Sequence, residues 1–235
     1  MMKETGIIFS TALIPQVLDG TKTVTRRLWG LKEINLTSQR LGLLGDGATW
    51  WFESDKFTKY IKCPYGGPGD MLYVKETYEW VTLGEKDPWN DAAIADGTFR
   101  RMPDGSPVKM CYKADGYEIG ASWRSPLFMP TWASRIWLEI VSVRPKRLQA
   151  IMEEDYLKEG LKKEGVLWKC PILATMRTQV FEGYTTDGGV YFTRYNLAFK
   201  QLWDSLNAKR GYGWDTNPWV WRIEFELKRG GNDGI

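Results

Sequence analysis

The densest polar stretch of the chain is Gly20-Thr21-Lys22-Thr23-Val24-Thr25-Arg26-Arg27. Three hydroxyls interleaved with three cations make a surface that can contact phosphate or another anion. The same residues also suit a plain strand edge, which basic side chains commonly guard. The chain contains no histidine. That excludes Ser-His-Asp and Cys-His machinery and any His-ligated metal. Catalysis, if present, falls to Lys, Glu, Asp, Thr, Ser, Tyr or Cys. Cys63, Cys111 and Cys170 fit no zinc pattern and read as free buried thiols in a reducing cytoplasm. No metal and no cofactor is expected.

Other polar residues stand at informative places. Glu76 shares the Leu72 and Val74 face of a strand, so its carboxylate is either half-buried and paired or directed into a cleft. Arg135, at the start of a long strand, either binds phosphate or pairs with Glu76 as scaffold. Asp70 follows a glycine and reads as a turn-stabilising residue. Tyr65 and Trp80 are candidate base-stacking side chains, whereas Trp219 and Trp221 have apolar neighbours at period two and read as core. The 13 Trp, 11 Tyr and 9 Phe supply more flat rings than a core alone needs.

The elements that must position these groups follow from patterning. Gly6–Ser10 reads as a first strand, and Thr11 starts a helix through Asp19 that Gly20 stops. Lys22–Trp29 alternates as a second strand. Residues 30–60 are irregular, and Pro64-Tyr65-Gly66-Gly67-Pro68-Gly69-Asp70 is a turn cluster. Strands are predicted over 71–80, 108–114, 132–143 and from Trp219 to Leu227. A short helix spans 152–159 with Gly160 as its stop, and Tyr191–Asn207 shows the clearest helical spacing. Residues 84–107 and 162–190 read as two inserted loops, and 230–235 as a frayed tail.

The 235 residues are 43% hydrophobic and 26% charged, ordinary globular composition with room for a sizeable core. No run approaches the roughly 20 apolar residues of a membrane span, and the first residues lack the apolar centre of a signal peptide. A net charge of +3 does not by itself argue for nucleic acid, so the clustering of charge has to be read. Without repeat or linker, residues 1–235 read as one domain. The order of elements predicts an α+β fold with a curled, mostly antiparallel sheet.

Four markers in order carry a family resemblance. Gly20, Lys22 and Arg27 resemble the Gly-x-Lys-x-x-x-x-Arg signature of the ASCH family. Gly69-Asp70 with Met71–Val74 resembles its second marker. Arg147-Leu148 through Glu153-Glu154-Asp155 to Glu159-Gly160 resembles its central helix. Leu202-Trp203 and Asn217-Pro218-Trp219-Val220 resemble the close of a larger variant common in bacteriophages and prophages. The resemblance spans a core of about 6–228 and skips both insertions. It implies a PUA-like β-barrel with flanking helices and a cleft beside the first helix, taking RNA, a nucleotide or a modified nucleobase. Lys22, Arg26, Arg27, Glu76 and Arg135 are the expected nucleotide contacts.

Some small members of that family are amidohydrolases that deacetylate N4-acetylcytidine with a Lys, a Thr three residues later and a Glu on the central helix. Lys22, Thr25 and Glu159 match those positions. In that role Thr25 attacks the acyl carbon, Lys22 is its base where burial or a neighbouring cation lowers its pKa, and Glu159 orients Lys22 or the leaving amine. Lys22 and Thr25 face opposite sides of an ideal strand. They converge only if Lys22 sits in the turn before the strand, which Gly20 favours, or if a bulge intervenes. Three readings stand side by side: a nucleobase- or RNA-recognising protein, an N4-acylcytosine amidohydrolase, and a phage partner-binding protein that uses its insertions beside a vestigial cleft.

Overall fold

The computed structural model describes residues 2–31, 40–54, 57–84, 89–95, 97–116, 123–164, 167–169, 184–186, 189–192 and 194–229. In chain order the elements are β1 (Glu4–Ile8), α1 (Ile14–Leu18), β2 (Val24–Arg27), β3 (Arg40–Leu43), β4 (Thr49–Glu53), β5 (Thr58–Lys62), β6 (Met71–Lys75), β7 (Tyr78–Thr82), α2 (Trp89–Ala95), β8 (Phe99–Arg101) and β9 (Pro107–Tyr112). They continue with β10 (Ile136–Arg147), α3 (Glu153–Lys158), β11 (Lys162–Glu164), β12 (Leu167–Lys169), β13 (Tyr184–Thr186), β14 (Gly189–Phe192), α4 (Tyr195–Asn207) and β15 (Trp219–Arg229). A 3-10 turn at Thr11–Leu13 leads directly into α1.

The central sheet runs β1-β6-β10-β15-β2. Only β1 with β6 is parallel; the remaining pairs are antiparallel. Its two end strands approach each other, because the Arg27 side chain on β2 donates to the Ile8 carbonyl at the end of β1 at 2.7 Å. Among the described residues no strand pairing joins β1 to β2, so the sheet curls without closing. The fold is therefore mixed α+β with mostly antiparallel sheets.

Strand β15 shows how alternation divides the interior. Trp219, Trp221, Ile223 and Phe225 enter the main core with Ile7, Phe9, Leu72, Val74, Ile136 and Leu138. Val220, on the opposite face, joins a second core formed with Tyr156 of α3 and Phe199, Leu202 and Trp203 of α4. Arg222 and Glu224 share that opposite face, which places both charges under α3. The two core tryptophans were legible from their period-two spacing.

Several expectations are refined. Residues 30–60, read as irregular, contain β3, β4 and β5, a three-stranded sheet whose Trp50 and Phe52 face the main core. The strand read over 71–80 breaks at Glu76-Thr77 into β6 and β7. Within 84–107, read as a loop, lie α2 and β8, and β8 pairs with β9. Within 162–190, β11 to β14 form a small sheet. Residues 165–166, 170–183 and 187–188 of that second insertion, with Cys170 and the tail from 230, lie outside the described residues. The last helix starts at Tyr195 because β14 takes the preceding residues. Among the described residues no helix is long and apolar enough to cross a membrane.

Candidate functional site

The gap between the two ends of the central sheet is a cleft of about 750 Å³. Phe9 and Ser10 line it from the end of β1, Thr25 to Trp29 from β2, and Phe199, Trp203 and Asn207 from α4. That size suits a small organic ligand. Lys22, Thr25 and Glu159 all contribute to its walls, so three residues far apart in sequence meet in one hollow.

Local backbone explains the meeting. Gly20 has φ +77, which ends α1 in a conformation that costs a side-chain-bearing residue energy. Lys22 then lies ahead of β2, its amide bonded to the Gln16 carbonyl at 2.8 Å. The amide of Thr23 donates to the Lys158 carbonyl at 2.9 Å, which pins this segment to the end of α3. Gly160 follows α3 with φ +92, and a Cβ there would stand 3.0 Å from Leu13 Cδ2 and 3.5 Å from Lys22 Cδ. Only glycine lets α3 stop this close to the lysine.

Lys22 Nζ donates to Val24 O at 2.8 Å, to Glu159 O at 2.8 Å and to Glu159 Oε2 at 3.0 Å. Three acceptors match the three protons of an ammonium. Burial pushes the Lys22 pKa below the ordinary lysine value, and Glu159 partly offsets this. The other Glu159 oxygen, Oε1, accepts from Arg26 Nη1 at 2.8 Å. Arg26 Nη2 reaches Asp155 Oδ2, and Asp155 Oδ1 accepts from Arg222 Nη2 at 2.9 Å. Arg222 Nη1 reaches Glu224 Oε2 at 3.0 Å, and Lys158 Nζ stands 3.7 Å from Glu224 Oε1.

Charge alternates along this chain of contacts. Lys22, Arg26 and Arg222 meet Glu159, Asp155 and Glu224, and the six formal charges cancel. Strand register requires it, because Arg26 and Arg222 are direct cross-strand partners and like charges in that position repel. Asp155 on α3 lies between them. Burial pushes its carboxyl up, but the Arg222 and Arg26 contacts outweigh that and leave its pKa below the usual aspartate range.

Thr25 pairs with Ile223 and Arg27 with Trp221, so both occupy the face of β2 opposite Arg26. The Thr25 side chain borders the cleft, and among the described residues its hydroxyl makes no hydrogen bond. It does not bond Lys22, whose Nζ is taken up by Val24 O and the two Glu159 acceptors. Arg27 differs from its neighbours in another way. Its single hydrogen bond goes to the neutral Ile8 carbonyl, its Nε is buried without a partner, and among the described residues it has no ion pair. Burial lowers its pKa from the ordinary arginine value, with Tyr65 and Glu159 acting the other way, yet a guanidinium keeps its proton in proteins. Arg27 and Lys22 both stand over the Phe9 ring, at 5.2 and 5.5 Å.

Aromatic rings border the mouth. Trp29 is 61% exposed and meets Tyr65 edge-on at 5.7 Å. Tyr65 was expected as a stacking residue; Trp29 was missed, although it closes the polar stretch two positions after Arg27. Trp80 does not belong to the cleft lining. It packs 5.7 Å from Tyr78 and 5.9 Å from Trp132, beneath the Arg124 guanidinium at 3.8 Å. Arg210, exposed at the end of α4, is a rim cation that helical periodicity did not single out.

Glu76 and Arg135 do not join the cleft lining either. Arg135 donates to Glu76 Oε2 at 3.0 Å and Oε1 at 2.9 Å, and to both Asp115 oxygens at 2.8 Å. Its guanidinium lies 4.0 Å over the Tyr112 ring. Four of five donors are spent on carboxylates, so of the two sequence readings the scaffold pair is the one observed. Asp70 accepts from the Lys3 and Gly67 amides at 2.8 and 3.0 Å, a turn-stabilising role. Cys63 is buried, and burial pushes its thiol up to about 12, which leaves it unreactive. No group of His, Cys, Asp and Glu among the described residues could hold a metal ion. No family model, no curated protein and no solved structure matches the chain.

Proposed function

We propose that the cleft binds a nucleotide or modified nucleobase, in the manner of an ASCH-type, PUA-like protein. The observation that carries this reading is Arg27, a charged side chain inside a ring-walled cleft with no ion pair among the described residues. A half-buried cation without an ion-pair partner is costly to desolvate, and an anionic ligand relieves that cost. Trp29 and Tyr65 at the mouth offer faces on which a base stacks. The sheet that curls until its end strands nearly meet is compatible with the barrel of that family. Calorimetric titration with cytidine, uridine and adenosine monophosphates and with a short single-stranded RNA tests the reading. Saturable binding that Arg27→Gln weakens is expected. Absence of binding to every one of them refutes it.

A second reading, hydrolysis of an N4-acylcytosine, is favoured by the unbonded Thr25 hydroxyl in the same cleft as the Lys22–Glu159 pair. Moving one proton across the 3.0 Å contact from Lys22 to Glu159 leaves a neutral amine. That amine takes the Thr25 proton as the hydroxyl attacks the acyl carbon. The acyl group passes to Thr25, the released base keeps its amine by taking the proton back, and water then cleaves the ester. Mass-spectrometric assay of N4-acetylcytidine decides it: turnover that Thr25→Ala abolishes is expected, and turnover indifferent to Thr25→Ala, or none at all, removes it.

A further inference from the structure

The charges around the cleft carry an inference about which phosphate it accepts. It rests on the nucleotide-binding reading above and narrows it. Of the basic groups near the cleft, Lys22 and Arg26 are already spent. Lys22 has its three acceptors, and Arg26 bridges Glu159 and Asp155. Arg222 behind them is spent on Asp155 and Glu224. Lys22, Arg26 and Glu159 line the cleft, while Asp155, Arg222 and Glu224 lie behind them, where Lys158 also stands 3.7 Å from Glu224; each of these cations already has a carboxylate partner. Among the described residues Arg27 is the cation inside the cleft that is left over, with Nη1 and the buried Nε unbonded and only Nη2 engaged, on Ile8 O. Arg210 adds a second cation only at the exposed rim, where its Nη1 stands 3.5 Å from Asn207 Oδ1.

We infer that the cleft selects a singly charged phosphoryl group: a phosphodiester in preference to a nucleoside mono-, di- or triphosphate. One half-buried cation without an ion pair among the described residues balances one negative charge. A phosphomonoester carries about −1.5 to −2 at neutral pH, and a triphosphate more, with no metal ion site among the described residues to offset the excess. Each surplus negative charge would also meet the Glu159 carboxylate in the cleft lining. A guanidinium with free donors suits the two unesterified oxygens of a diester. The diester can come from a strand or from a small esterified nucleotide, and the chemistry is the same.

Affinities for one base in five forms separate the possibilities: cytidine, its 5′-monophosphate, the methyl diester of that monophosphate, the triphosphate, and a short oligocytidine strand, all at fixed salt. The expected order puts the methyl diester about tenfold above the nucleoside and above the monophosphate, with the triphosphate no tighter than the monophosphate. The oligonucleotide equals the methyl diester if the site reads one phosphate, and exceeds it if the source is a strand that also reaches Arg210; either result agrees with the inference. In Arg27→Gln the diester's advantage over the nucleoside disappears, and in Arg27→Lys, which keeps the charge, part of it returns. A triphosphate tenfold tighter than the diester overturns the inference while leaving nucleotide binding intact. So does a nucleoside that binds as well as the diester. Failure of all five forms to bind overturns the nucleotide reading itself.

Discussion

Two clusters of buried charge occur in this molecule, and they differ in what they leave over. Arg135 is locked between Glu76 and Asp115, against the Tyr112 ring, and does not line the cleft. The Lys22–Glu159–Arg26–Asp155–Arg222–Glu224 chain also satisfies itself, but its Lys22, Arg26 and Glu159 line a cleft, beside Arg27, which has no ion pair among the described residues. Buried ion pairs add little net stability, although breaking one is expensive. The first cluster therefore explains only how β6 and β10 are tied to the turn carrying Asp115. The second leaves Arg27 as the cleft cation without an ion pair among the described residues, which is the feature the proposed nucleotide binding rests on.

The comparison is broken most severely at Asp155. Asp155→Asn leaves Arg26 and Arg222 facing each other across β2 and β15 without their bridge. A loss of about 3–5 kcal/mol in unfolding free energy is expected, read by denaturant or heat as a midpoint lowered by roughly 10 °C. The pH dependence has a definite sign. Asp155 has a folded pKa below its unfolded value, so its contribution is complete above the unfolded value near about 4. It disappears as pH falls through the lower folded value. The stability gap between wild type and Asp155→Asn should therefore narrow between pH 6 and pH 3; a gap that widens on acidification contradicts the assignment.

Arg135→Ala should cost about 3 kcal/mol by stranding Glu76, with ligand affinity unchanged once the protein is folded. A parallel fall in affinity would mean the two clusters are coupled. Arg27→Gln reverses that pattern. Unfolding free energy should move by less than about 1 kcal/mol, while nucleotide affinity falls about tenfold. The smallest effect is expected at Trp29, where removal of the exposed ring by Trp29→Ala should weaken binding by about 1 kcal/mol and leave stability untouched. A tryptophan that mattered to the core would show the opposite.

Much of this arrangement is legible in the residues themselves. The spacing of Trp219, Trp221, Ile223 and Phe225 gives β15 and its inward face. Gly20 and Gly160 mark where two helices stop, and those stops bring Lys22 to Glu159. What one sequence does not encode locally is partnership. Nothing near Arg26 or Arg222 in the chain announces that the two lie opposite each other, or that Asp155 sits between them, because register is settled by the whole sheet. The same limit hid the contrast between Arg27, which is unpaired, and Arg135, which is saturated. β3 to β5 escaped for a different reason: turns at Gly45-Asp46-Gly47 and near Ser54 divide that region into runs too short to show a period.

The salt dependence of oligonucleotide binding tests the surplus-charge account most directly. Releasing counterions from a single strand gives log K against log salt a slope of about −0.7 per phosphate neutralised. Arg27→Gln should make the wild-type slope shallower by about that one unit of neutralised phosphate, while Arg135→Ala leaves it unchanged. Equal slopes in wild type and Arg27→Gln would contradict the claim that Arg27 is the cation that meets the ligand's charge.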